Sequence, residues 1–158
     1  MKALALTAAL LFAASPADAA FNPVEFFRGH THGEGTLKVI LKPSKHIKVD
    51  SIGHTEKDGA LLLEQVVHED GKPARTRHWR LRQVAPDRFE GTLTDAASPV
   101  EVTVEDGDSI RIRYTGKDHL EFDQLLTPTS PTEVRNKTRV KRFGIVVAHF
   151  NETIRKLD

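Results

Sequence analysis

Apolar and polar residues alternate along most of this chain with a period of two, the pattern of strands that bury one face. The alternation predicts strands at Gly35–Lys42, His46–Glu56, Ala60–Glu69, Ala74–Val84, Arg88–Asp95, Val100–Glu105, Ser109–Thr115, His119–Thr127, Thr132–Arg142 and Gly144–Lys156. Turn signals separate them: Lys57-Asp58-Gly59, Glu69-Asp70-Gly71, Ala85-Pro86-Asp87, Glu105-Asp106-Gly107 and Thr115-Gly116-Lys117-Asp118. Asp-Gly at such points supplies the positive φ that tight hairpins favour. Ahead of the strands, Phe21–Phe27 reads as a short helix or cap, with Asn22 and Pro23 as N-cap and first turn. Its Phe26 and Phe27 would cover an apolar opening. The one other helical signal is a last turn near Asn151–Leu157.

About ten short strands joined by hairpins must dispose of their two free edges. An antiparallel barrel does so by closing on itself, and a two-sheet sandwich is the alternative. The short loops favour an up-and-down barrel, which at this size can enclose a small cavity. The expected fold is therefore all-β, a single antiparallel barrel over residues 21–158 with a short helix at its start.

The first twenty residues have a different pattern. Lys2 is followed by an apolar run from Ala3 to Ala14 broken only by Thr7, and Ala17-Asp18-Ala19 offers small residues for cleavage. The run is too short to span a bilayer, which takes about 20 residues as a helix. Residues 1–20 are expected to be a secretory signal, with the mature protein in the periplasm or secreted. The chain contains no Cys, which excludes disulfides, thiolate metal sites and cysteine nucleophiles, and with them a lipid-anchored cysteine. The formal charge is +1, from 23 Lys+Arg against 22 Asp+Glu, so nothing steers the chain as a whole toward nucleic acid. Stable membrane insertion is not expected either. Basic residues cluster at Arg75–Arg82 and Arg135–Arg142, where interleaved apolar positions suggest solvated strand faces.

Alternation also sorts the faces. Leu37, Val39 and Leu41 share one face, as do Leu61, Leu63 and Val67; Phe89, Gly91 and Leu93; Ile110, Ile112 and Tyr114; Leu120, Phe122, Gln124 and Leu126; and Val134, Asn136, Thr138 and Val140. Arg75 and Arg77 fall on the same face as Trp79 and Leu81, while Asp95, Gln124 and Asn136 also fall on apolar faces. An inward Arg77 requires a carboxylate, several carbonyls or a bound anion, because an unpaired buried polar group costs about 1–3 kcal/mol and a charge more. Two readings follow. In one, Arg77 and Asn136 hold the polar head of a small, mostly apolar ligand, with Trp79 and Tyr114 as the wall. In the other, Arg77 stacks on Trp79 and is pinned by Asp95 or Glu64, as pure structure in a filled barrel of the cell envelope. A cluster of Glu64, Arg77 and Asp95 would also admit a barrel enzyme, an isomerase or hydrolase, as a third reading.

Other chemistry is weakly marked. His30-Thr-His32 puts two imidazoles on one strand face, but a catalytic zinc site needs a third ligand, and no HExxH or helical His pair is present. No metal or other cofactor is expected. There is no GxSxG elbow. Gly29, Gly33 and Gly35 lead into a strand rather than a helix, so they lack the helix-end phosphate site and suit backbone freedom where the barrel begins.

Three segments resemble a bacterial envelope family known as domain-of-unknown-function family 3833: FFRGHTHGEG at Phe26–Gly35, RTRHWRLRQVAPDRFEGTLTD at Arg75–Asp95, and NKTRVKRFGIVVAHFNETIRK at Asn136–Lys156. The family pattern falls here on Phe26, Phe27 and Gly29, then Glu64, then Arg77 and Trp79 leading to Phe89 and Gly91, then Asp95, and finally Asn136, Phe143 and Gly144. The resemblance covers essentially the whole chain after the signal. It implies a calycin-like barrel related to lipocalins and avidins, and no established activity. The chain departs from the family at the missing lipoprotein Cys, at Gln124-Leu125 after Phe122-Asp123, and in the charged segment Ser98–Asp108.

Overall fold

A computed structural model describes residues 21–158, and residues 1–20, the expected export signal, lie outside it. Ten antiparallel strands follow one short helix: α1 (Pro23–Phe26), β1 (Gly29–Val39), β2 (Lys45–Thr55), β3 (Leu61–Glu69), β4 (Arg75–Ala85), β5 (Arg88–Leu93), β6 (Val100–Val104), β7 (Ile110–Thr115), β8 (Glu121–Ser130), β9 (Glu133–Arg142) and β10 (Ile145–Lys156). Each strand pairs with its neighbour in sequence, and β1 pairs with β10 from Thr31↔Lys156 to Val39↔Ala148. That last ladder closes the barrel and removes the sandwich alternative.

Two expectations change at the ends. β1 begins at Gly29, well before Gly35, and ends at Val39. Its inward positions include Gly33 and Gly35, which leave no apolar signal to read. Leu41, expected on the inner face of this strand, stands in the following turn at φ 59°, 97% exposed. At the other terminus β10 runs to Lys156 as the expected strand Gly144–Lys156 has it, and pairing to both β1 and β9 takes the place of the helical last turn suggested near Asn151–Leu157.

The short helix forms as its sequence suggests. Asn22 Oδ1 accepts from Val24 N at 2.9 Å, and Pro23 occupies the first turn. Val24, Phe26 and Phe27 are buried in the main core with Leu61, Leu63, Leu81, Phe89, Val102, Ile110, Leu126 and Ile154. Each such side chain contributes roughly 1.5–3 kcal/mol of burial, so α1 is a plug for one end of the barrel. Lys156 ties it down by donating to the carbonyls of Glu25, Phe26 and Arg28. The opposite end carries the β1–β2, β3–β4, β7–β8 and β9–β10 hairpins, with a smaller cluster of Ile47, Val49 and Val67 packed by Leu37 and Phe150.

Outward positions are mostly polar and charged, including His30, His32, Glu34, Lys38, Glu64, Arg80 and Arg82, with Ile52 and Val84 as exposed apolar exceptions. A barrel that spans a bilayer shows an apolar band there instead. Arg80 of the first basic cluster reaches Glu56 and Asp58 on this outer face.

Gly53 on β2 is the seat of the plug: a Cβ there would collide with the Phe27 carbonyl and come within 3.2 Å of Leu61. Gly53→Ala is expected to destabilise by about 2 kcal/mol, or roughly 7 °C in Tm, in a thermal melt followed by circular dichroism. An unchanged Tm would mean that α1 does not sit against β2 in this way.

Candidate functional site: a polar layer inside the barrel

Inward polar residues from six strands meet about midway along the barrel: Ser51 (β2), Gln65 (β3), Arg77 (β4), Gln124 (β8), Asn136 (β9) and Glu152 (β10). They divide the interior in two. Between the layer and α1 lies a lower chamber of about 60 Å³, walled by Phe27, Leu61, Leu63, Trp79, Leu81 and other apolar side chains. Toward the hairpin end lies an upper chamber of about 140 Å³, with Tyr114, Phe122, Val140 and Phe150 in its wall. Arg77, Gln124, Asn136 and Glu152 border both.

Gln65 organises the layer. Its Oε1 accepts from Arg77 Nε at 2.8 Å and from Trp79 Nε1 at 2.7 Å, and its Nε2 donates to Ser51 Oγ at 3.1 Å. The Arg77 guanidinium also lies 5.6 Å from the Trp79 ring centroid, a cation–π arrangement. Burial lowers the pKa of Arg77, yet the group remains cationic, as a guanidinium does in proteins. No carboxylate makes an ion pair with it among the described residues. The Glu152 carboxylate acts on it only through its field, and among the described residues Nε alone is engaged by a protein acceptor. The terminal nitrogens carry four further N–H donors, and Arg77 lines both chambers.

Glu152 is the layer's second ionisable group. It is 8% exposed and accepts from Asn136 Nδ2 at 3.1 Å, while Asn136 Oδ1 accepts from Thr138 Oγ1 at 3.0 Å. Burial pushes the Glu152 carboxyl above its ordinary range, against the opposing effects of the Asn136 hydrogen bond and the Arg77 charge. Gly33 makes room for it, since a Cβ on that residue would strike the Glu152 carboxylate. The aromatic wall is continuous: Trp79 meets Tyr114 edge-on at 5.8 Å, and Tyr114 stacks on Phe122 at 4.7 Å. Gln124 Nε2 donates to Tyr114 Oη at 3.4 Å.

Of the residues singled out in the sequence, Arg77, Trp79, Tyr114 and Asn136 come together inside the barrel. Asn136 has its carbonyl and one amide hydrogen committed to Thr138 and Glu152, so it positions Glu152 rather than standing free. Glu64 and Asp95 do not join them. Glu64 points outward and pairs with His78 at 3.1 Å, because the alternation that buries Leu63 and Gln65 exposes the residue between them. Asp95 lies beyond the end of β5 and pairs at 2.6 Å with Arg75, both half exposed. The Glu64–Arg77–Asp95 cluster behind the enzyme reading is therefore not assembled. Gln65 and Glu152 were absent from the sequence-based set, although Gln65 shares the face of Leu63 and Val67.

His30 and His32 also turn outward and pair with Asp158 and Asp50, each at 2.6 Å. Among the described residues no group of three or more His, Asp or Glu is arranged to hold a metal ion.

Glu152 has a pH signature. A carboxyl whose folded pKa lies above its unfolded value contributes stability at low pH that is lost as pH rises through the folded value. Glu152→Gln is therefore expected to gain Tm relative to the unsubstituted protein as pH is raised from about 4, near the unfolded Glu pKa, toward neutrality. Carboxylates with lowered pKa, such as Asp123 beside Arg111 and Arg139, are common to both proteins and cancel in the difference. A Tm difference independent of pH, in paired melts across that range, would mean that Glu152 is not held in a desolvated site.

Solved structures with this architecture include the S-type phycobiliprotein lyase CPES from Guillardia theta, with a TM-score of 0.69 at 9% identity over 85% of this chain and 90% of that one. A protein with unknown function from the DUF3598 family of Nostoc punctiforme gives a TM-score of 0.63 at 13% identity, over 88% of this chain but 51% of that one. At such identities the likeness is one of fold. No curated protein matches the sequence. The family model described as "Protein of unknown function (DUF3833)" matches residues 7–156, and the chain belongs to that family.

Proposed function

We propose that the protein binds a compact amphipathic molecule inside the barrel, with an anionic head on Arg77 and apolar atoms against Trp79 and Tyr114. The observation that carries this reading is the state of Arg77: a half-buried cation held through Nε by a neutral amide, in the lining of both chambers. A structural arginine in a barrel core is better served by a direct carboxylate, since burying an uncompensated charge is costly. Chamber size limits the ligand. About 60 and 140 Å³ lie below the roughly 300 Å³ of ordinary small-molecule pockets, so a small head with a short apolar portion suits them better than a long acyl chain. That a related barrel fold serves a phycobiliprotein lyase supports the fold's suitability for a ligand-handling role. Residues 1–20 support export, and with it a diffusible periplasmic binder.

The chamber volumes also favour a second reading, a filled barrel with a structural role in the envelope. Stability and affinity separate the two. Trp79 is the chain's single Trp and lines the lower chamber, so its fluorescence reports directly on the site. Titration with short-chain carboxylates is expected to give a saturable change that Arg77→Gln weakens by about tenfold or more, the loss of a charge-assisted hydrogen bond. Saturable binding that Arg77→Gln leaves intact would refute Arg77 as the anchor. No saturable response, with only a drop in Tm for Arg77→Gln, would favour the filled barrel.

A further inference from the structure

The hairpin end of the barrel carries a feature that the interior site does not use. Ile40, Leu41, Phe143 and Ile145 are 58, 97, 88 and 67% exposed. They belong to two neighbouring hairpins, β1–β2 and β9–β10, joined along the β1–β10 ladder up to Val39↔Ala148 and extended by Ile40 N donating to Val147 O at 2.9 Å. The four side chains thus crown one side of the rim. Leu41 and Phe143 stand there at φ 59° and 51°, a backbone region that bulky residues seldom adopt and that Asn or Gly fills without strain. Neither hairpin stability nor core packing accounts for large apolar residues at those two tips.

Within these two hairpins the flanking charge has one sign. No carboxylate occurs between Glu34 and Asp50, where Lys38, Lys42, Lys45 and Lys48 lie. None occurs between Glu133 and Glu152, where Arg135, Lys137, Arg139, Lys141 and Arg142 lie. Neighbouring strands neutralise part of this collar: Glu69 pairs with Lys45, and Asp123 with Arg139. Lys38, Lys42, Lys141 and Arg142 take part in no ion pair among the described residues. Lys38 instead donates to the Lys42 carbonyl at 2.6 Å, and Arg142 lies 5.6 Å from the Phe143 ring centroid.

We propose that this end docks on an anionic lipid bilayer, with Ile40, Leu41, Phe143 and Ile145 entering the headgroup–acyl boundary and Lys38, Lys42, Lys141 and Arg142 meeting lipid phosphates. Apolar tips in front of a basic collar match the two layers of such a surface, which gives peripheral binding without a spanning segment. Charge argues against a second copy as the occupant: a twofold contact through these tips would set one basic collar against another. The proposal does not depend on what the barrel binds.

The test uses residues 21–158, which contain the closed barrel and its plug, in cosedimentation with vesicles of phosphatidylcholine alone or with about 30% phosphatidylglycerol, at low and high salt. The expected result is binding to the anionic vesicles that weakens with salt. Leu41→Asn combined with Phe143→Asn should weaken it by about tenfold or more without lowering Tm, since Asn accepts both backbone conformations. Lys42→Gln combined with Arg142→Gln should weaken it and flatten its salt dependence. The proposal fails if the anionic vesicles do not retain the protein, or if the Asn pair binds them as well as the unsubstituted protein. It also fails if light scattering shows a concentration-dependent dimer that the Asn pair abolishes while vesicles retain neither protein, which would assign the tips to self-association.

Discussion

The interior depends on one carboxamide oxygen. Gln65 Oε1 receives both the Arg77 Nε–H and the Trp79 indole N–H, while the other end of the same amide donates to Ser51. This links β2, β3 and two positions of β4, and fixes the guanidinium against the indole face. The acceptor is neutral, so it orients the cation without cancelling its charge. Carboxylate compensation reaches it only through the fields of Glu152 and Asp95, and burial raises the Glu152 carboxyl's pKa. Arg77 and Glu152 are thus held in one layer without an ion pair, an arrangement that leaves their polarity available to the chambers on either side.

The rest of the fold serves to place this layer. α1 seals one end and gives the lower chamber an apolar floor, locked by Lys156 from the last strand. β1 must pass close to β10 for the barrel to close beside Glu152, and Gly33 and Gly35 allow it: side chains there would strike the Glu152 carboxylate and the Asn151 carbonyl. At the hairpin end, Arg75 and Asp95 form a half-exposed pair on the rim of the upper chamber. The two ends are chemically opposite, one plugged by aromatic side chains and the other rimmed with basic and exposed apolar residues.

Much of the barrel was legible in the sequence because period-two burial is a direct consequence of strand geometry, and the Asp-Gly turns marked several of the hairpins. β1 starts ahead of its apolar rhythm because its inward positions there are Thr31, Gly33 and Gly35, and an inner face made of glycine carries no such rhythm. β10 runs to Lys156 as the alternation predicts, and the helical turn its end also suggests does not form; Asn151-Glu152-Thr153 has little apolar alternation because its inward residue is a carboxylate. The candidate site was half legible. Arg77, Trp79, Tyr114 and Asn136 follow from strand parity, and the same parity puts Gln65 inside with Leu63 and Val67 and Glu64 outside. Asp95 also had inward parity, but β5 ends before it, and parity has no meaning beyond the last paired residue. The link between Asn136 and Glu152 lies on the β9–β10 ladder and needed the register as well as the parity.

The central claim is that Gln65 and Arg77 are coupled inside the barrel, and a double-mutant cycle tests it most directly. Denaturant unfolding of Gln65→Leu, Arg77→Met and the double variant should show an interaction of about 1–3 kcal/mol, with the pair destabilised less than the two single changes together. Each single change strands a buried polar partner, whereas the double change removes both. Strict additivity would contradict the account and leave Arg77 without the anchor on which the layer depends.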